Sequence, residues 1–145
     1  MLIDFTIANY LSIKDEITLS FISNNKDISN NMKILPIEGS KYHLYTFSAI
    51  YGPNASGKTN IVKALSDFTN IVKYSYRLDI DQIIPSYKPF RLDKNNINKP
   101  TVFEMEFITE NIRYRYHIEF TEKEIQNEVL DFYPEGRKAN LFTRT

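Results

Sequence analysis

The chain has 145 residues, enough for one compact domain with a proper core. Hydrophobic residues at 42% and charged residues at 25% exclude wholesale disorder and a membrane-embedded chain, and Lys+Arg 18 against Asp+Glu 18 leaves no net charge to draw it to nucleic acid or anionic membranes. Without cysteine there is no disulfide, thiolate zinc site or cysteine nucleophile, two histidines (His43 and His117) are too few for a His-rich metal site, and a cytoplasmic location is expected.

The opening MLIDFTIANYLSIKDE alternates apolar and polar residues with early acids, unlike a signal peptide or a spanning helix. Ile3, Phe5, Ile7 and then Ile17, Leu19, Phe21 recur at period two, which predicts an N-terminal β-hairpin. Residues 23–41 are rich in Ser, Asn and Lys and read as a surface loop with one short strand from Ile34 to Ile37. Leu44 to Tyr51 is mostly apolar, β-prone and ends on Gly52, the profile of a buried strand. Beyond it Ile61, Leu65, Phe68 and Val72 mark one face of a helix from about Lys58 to about Tyr74. Arg77 to Lys99 holds Pro85, Pro89 and a polar run from Asp93, so it is expected to be irregular and exposed.

Residues 102–120 predict a second hairpin whose register follows from a two-residue turn at Glu110-Asn111. Thr109 then faces Ile112. One side carries Phe103, Met105, Phe107, Tyr114, Tyr116 and Ile118; the other carries Glu104, Glu106, Arg113, Arg115 and His117. Glu106 opposes Arg115 and Glu104 opposes His117, a charge-complementary solvent side. A further strand pair is expected from Glu124 to Tyr133 and from Ala139 onward, joined through Pro134-Glu135-Gly136. There is no internal repeat and no heptad pattern.

Between the predicted buried strand and the amphipathic helix stands Gly52-Pro53-Asn54-Ala55-Ser56-Gly57-Lys58-Thr59, a complete G-x-x-x-x-G-K-[ST] phosphate loop (Walker A). Its glycines let backbone wrap close to phosphate while successive N–H groups converge at a helix N-terminus. Gly52 and Gly57 are expected to permit the loop geometry and the amides of Ala55 to Lys58 to cradle the β-phosphate of ATP. Lys58 would bridge β and γ oxygens as the catalytic cation, the Thr59 hydroxyl would ligate Mg²⁺, and Asn60 would add a side-chain contact. At average residue usage the pattern arises by chance in a chain this long about once in two hundred, and the strand-loop-helix context lowers that further.

GPNASGKT with Asn60 following, the opening MLIDFTIANYLSIKDE and the later PFRLDKNNINKPTVFEMEF resemble the ABC-type ATPases of the SMC, RecF and OLD branch. Within it the chain is similar to the prokaryotic abortive-infection proteins generally called AAA-family ATP-binding proteins. The resemblance spans nearly the whole chain. It implies an α/β P-loop NTPase fold, the first lobe of an ABC/SMC-like head, with a mixed sheet around the P-loop helix and an antiparallel β-hairpin layer. It also implies that residues 1–145 form an N-terminal lobe whose full-length heads dimerise around ATP, act on DNA through regions outside this segment, serve phage defence and work with a nuclease partner, with no membrane role. The family's Walker B strand, four apolar residues then Asp-Glu, has no counterpart here: Val129-Leu130-Asp131 continues into Phe132. No signature motif is found, and the contexts of Gln82 and Gln126 do not mark a Q-loop. The expected activity is therefore ATP binding, with hydrolysis only in the complete protein.

Other constellations read more plainly. Glu104 with Glu106 and Asp79 with Asp81 could be paired carboxylates for metal or acid-base work, but solvated faces explain them better. Arg113-Tyr114-Arg115-Tyr116 with Arg137-Lys138 could meet nucleic acid, yet strand alternation turns the tyrosines to the core and the arginines to the rim. Phe5 or Tyr10 could pack near adenine, although core packing fits both better. Alternatives to the ATPase are a nucleotide-binding module without turnover, a small-molecule kinase and a GTPase. The last is disfavoured because Asn25-Lys26-Asp27-Ile28 misplaces the Asp of N-K-x-D.

Overall fold

A computed structural model describes residues 1–23, 34–36, 43–77, 79 and 82–145. Six strands form the main sheet in the order β2-β1-β6-β7-β8-β9, with β1 at Leu2–Ala8, β2 at Ile17–Ser20, β6 at Thr101–Thr109, β7 at Ile112–Phe120, β8 at Ile125–Tyr133 and β9 at Ala139–Arg144. A small second sheet, β3-β5-β4, is built from Ile22–Ser23, His43–Tyr45 and Ile34–Pro36. The single long helix among the described residues, α1, spans Lys58–Tyr74 and runs into a 3₁₀ turn at Ser75–Arg77.

Period-two sequence becomes period-two burial. In β1, Ile3, Phe5 and Ile7 are buried while Asp4 and Thr6 lie toward the other face. The β6–β7 ladder runs from Thr109↔Ile112 to Thr101↔Phe120, which is the register the Glu110-Asn111 turn predicts, and both turn residues take the positive φ such a turn requires. Strands β8 and β9 form as expected around Pro134–Gly136. The short strand expected from Ile34 is present over Ile34–Pro36; Ile37 lies outside the described residues.

Helix α1 lies on the apolar sheet face. Phe68 is its central wedge, edge-on to Phe5, Phe103 and Tyr116 at centroid distances of 5.8, 6.4 and 5.6 Å. Ala64, Phe68 and Ile71 are buried, with Ile61 and Leu65 packed beside them. Val72, expected on this face, is exposed, because in its last turn the helix reaches the core through Ile71.

Three expectations are corrected. Leu44 to Tyr51 is not one buried strand: the strand ends at Tyr45, and residues 46–51 lead to the phosphate loop outside any strand, with Phe47 72% and Tyr51 92% exposed. The sheet around the helix is accordingly not mixed, since every strand pairing among the described residues is antiparallel. A parallel neighbour is what would bury an apolar strand on both faces, and none of the described strands lies beside 46–51. Finally, the segment after Arg77 is irregular but not wholly exposed: Ile84, Ser86 and Asn96 are buried.

Candidate functional site: the phosphate loop and the turn beside it

Residues Ala55 to Asn60 curl around a cavity of about 190 Å³, and Ser12 from the turn between β1 and β2 completes its wall. The loop can curl this tightly because Ala55 and Gly57 both adopt left-handed backbone, with φ of 63° and 89°. At Gly57 glycine is needed twice over, since the conformation is strained for any side chain and a Cβ there would stand 2.9 Å from Ser12 Oγ.

Helix α1 starts at Lys58 with no side-chain cap and with no acid in its first turn. Its first-turn amides have no carbonyl one turn earlier within the helix, although Asn60 N–H donates to Gly57 O at 2.9 Å. An end of this kind, uncapped and at the positive pole of the helix dipole, favours an anion. The Lys58 ammonium donates to Gly52 O at 2.8 Å, Pro53 O at 2.7 Å and Ser56 Oγ at 3.3 Å. It therefore holds the two limbs of the loop together, and an incoming phosphate would take over donors that now serve carbonyls. Thr59 is exposed at the cavity wall, where its hydroxyl could join a metal shell. Of the nine predicted positions, the structure brings Ala55 to Asn60 onto one cavity, keeps Gly52 and Pro53 at its edge through Lys58, and leaves Asn54 at the exposed tip.

Sequence reasoning missed Ser12. Its hydroxyl accepts a 2.7 Å hydrogen bond from the Asn60 side-chain amide, 48 positions along the chain. Nothing local in Tyr10-Leu11-Ser12-Ile13 marks this contact; only the hairpin's docking against α1 creates it. The same turn is fixed from its other side by Asn9, which is buried. Asn9 Nδ2 donates to the carbonyls of Asn96, Lys99 and Pro100 at 3.0, 2.9 and 3.2 Å, and Asn9 Oδ1 accepts from Phe90 N at 3.1 Å. Asp67 on α1 accepts from Tyr10 Oη and from Lys88 Nζ, both at 2.6 Å. Burial first, and then the Asp67 carboxylate, push the Tyr10 phenol far above its ordinary range, so it stays a neutral donor.

The remaining candidates resolve as structure. Phe5 and Tyr10 are fully enclosed, which leaves neither ring an open face for adenine. Glu104 and Glu106 are half-buried, not freely solvated. Arg115 bypasses its register partner Glu106 and grips Glu104 through Nε and a terminal nitrogen at 2.8 and 2.7 Å, while His117 Nδ1 lies 2.9 Å from the same carboxylate. Burial alone would raise the Glu104 carboxyl, but hydrogen bonds from His117 and Arg115 outweigh it and hold it at about 2. Asp131, which tops the partial Walker B run, is buried in β8, bonded to Asn140 at 3.0 Å and 2.9 Å from Lys138 Nζ. Arg113 lies over the Tyr133 ring at 3.8 Å, on the face away from the core tyrosine Tyr116, as the rim reading requires. Gln82 is exposed and bonds Asp79; Gln126 is exposed and bonds Glu124. Asp81 and Asn25 to Ile28 lie outside the described residues.

Among the described residues no group of three or more His, Cys, Asp or Glu side chains could hold a metal, and no helix is long and apolar enough to cross a membrane. A larger cleft of about 520 Å³ opens between Tyr87, Pro89, Arg91 and the β7–β8 turn at Glu122-Lys123. Its mixed charges converge on no single chemistry, whereas the small cavity gathers backbone donors, an ammonium and hydroxyls. In comparison with known proteins, residues 47–144 match the family described as AAA domain, putative AbiEii toxin, Type IV TA system. No curated protein matches the chain.

Proposed function

From the premise that the chain belongs to this AAA-domain family, of P-loop ATPases of the abortive-infection type, we propose that it binds Mg·ATP at the run from Gly52 to Asn60. The observation that carries this reading is the loop itself: Ala55 to Asn60 enclose a cavity at a helix end that no side chain caps and no acid enters. In it the amides of Ala55 to Lys58 hold the β-phosphate, Lys58 bridges β and γ oxygens, and Thr59 joins the Mg²⁺ shell. The wider reading is of a lobe from an ABC/SMC-like head of the SMC, RecF and OLD branch, whose complete form closes as a dimer around ATP and serves a DNA-linked defence role with a nuclease partner. Its support is the motif resemblance and the antiparallel β layer beside the P-loop helix.

Replacing Lys58 with Ala removes the one ammonium at the loop among the described residues while touching no core contact. Lys58→Ala is expected to abolish Mg·ATP binding in calorimetry and to leave the chain folded, with a cooperative thermal unfolding curve. Undiminished ATP affinity in a folded variant would remove the proposal. One observation favours a second reading, a binding module without turnover: among the described residues the cavity wall holds no carboxylate to polarise a water.

A further inference from the structure

We propose that Ser12 is a nucleotide-contacting residue, its hydroxyl donating to a non-bridging oxygen of the α-phosphate, so that the β1–β2 turn forms the nucleoside-side wall of the site. The inference rests on the reading of Gly52 to Asn60 as an ATP site and adds to it a residue from a distant part of the chain.

Three observations carry it. Ser12 stands in the cavity wall together with Ala55 to Asn60, although it is exposed and far away in sequence. Its Oγ lies 2.9 Å from where a Gly57 Cβ would be, so the Ser12 hydroxyl stands directly against the loop backbone. The hydroxyl has both donor and acceptor capacity; Asn60 Nδ2 uses it as an acceptor at 2.7 Å, and no protein acceptor for its proton is seen among the described residues. A donor with no protein acceptor, beside loop amides, is matched to an anionic oxygen.

Position along the loop fixes which phosphate. Lys58 serves the β and γ groups and Thr59 the metal, while loop amides also reach the α-phosphate. Asn60, the next residue of the helix, and Ser12 bonded to it are then left at the α end. The turn is held there by a rigid frame: Asn9 ties its start to Asn96, Lys99 and Pro100, Leu11 N–H donates to Lys88 O at 2.7 Å, and Tyr10 is anchored on Asp67. Ser12 is thus presented by a preorganised wall rather than by a loose loop.

The test measures Mg·ATP and the two α-thio diastereomers of ATP by calorimetry on the full chain, for wild type, Ser12→Ala, Asn60→Ala and the double variant. A hydrogen bond to one α-oxygen predicts that Ser12→Ala weakens ATP about tenfold, the effect of losing one bond to a charged acceptor. It also predicts that wild type prefers one diastereomer and that Ser12→Ala loses that preference. If Ser12 touches phosphate directly, its loss still weakens ATP in the Asn60→Ala background. Wild type that binds ATP with Ser12→Ala binding equally well, or a Ser12 effect that vanishes once Asn60 is gone, would overturn the α-phosphate contact and leave the P-loop reading standing. Wild type that binds no nucleotide would overturn both.

Discussion

His117 shows how a residue's protonation state can be read from its neighbours. Nδ1 lies 2.9 Å from Glu104 and Nε2 lies 2.9 Å from Glu119, and an ionised carboxylate can only accept, so both ring nitrogens must donate. This arrangement favours the imidazolium, and the His117 pKa is raised accordingly. The hydrogen bond to Glu104 raises its pKa most, burial opposes this, and Glu119 adds to the rise; Arg115 shares Glu104, and on β8 the facing residue is Val129, which carries no charge. A raised folded pKa means stabilisation that is complete below the unfolded value of about 6.5 and is lost as pH climbs through the folded value. Glu104, held at about 2, contributes above its unfolded value of about 4.3 and loses that contribution only as pH falls toward 2. The melting temperature should accordingly be highest between about pH 4.5 and 6.5 and decline on the alkaline side. His117→Gln should cost about 1–2 kcal/mol within that window, and the alkaline decline should flatten. An unchanged pH profile in thermal melts of the variant would show that His117 is not charged in the fold.

At the scale of elements, what was legible followed from periodicity, and what was not followed from contacts between distant segments. The β6–β7 register could be written from Glu110-Asn111 and the alternation around it, because a short turn leaves a hairpin no second register that keeps Phe103 and Ile118 inside. The segment from Ile84 to Pro100 could not, because its order comes from side chains elsewhere. Asn9 takes a left-handed φ of 51° at the end of β1, and its amide replaces the ladder that this segment lacks. Asn9→Ala removes those bonds and leaves the Phe90 N–H and buried carbonyls short of a partner, which should cost about 2–4 kcal/mol. Hydrogen exchange should quicken at Phe90 while the β6–β7 amides stay protected. Equal loss of protection in both places would mean that the segment and the sheet unfold as one unit.

For the whole molecule, the sequence motif marked a candidate site but not the architecture around it. GPNASGKT predicts a tightly curled loop, and Ala55 to Asn60 line one cavity with left-handed backbone at Ala55 and Gly57. The neighbouring apolar run was misjudged because apolarity signals a buried strand only where a partner strand exists, and Phe47 and Tyr51 meet none among the described residues. The same arrangement bears on catalysis. Hydrolysis of ATP needs a group that orients or polarises water beside the γ-phosphate and a carboxylate that supports the metal. Among the described residues, hydroxyls, amides and Lys58 line the cavity, and four of the buried or half-buried acids are engaged elsewhere: Asp67 with Tyr10 and Lys88, Glu104 with Arg115 and His117, Glu128 with Tyr116 and Arg144, Asp131 with Lys138 and Asn140. This chain alone should therefore bind Mg·ATP and turn it over far more slowly than about 1 per second, the low end of ordinary enzyme rates. Phosphate release measured at saturating Mg·ATP decides the matter, and a rate at or above that figure would show that a carboxylate reaches the loop in the nucleotide-bound state.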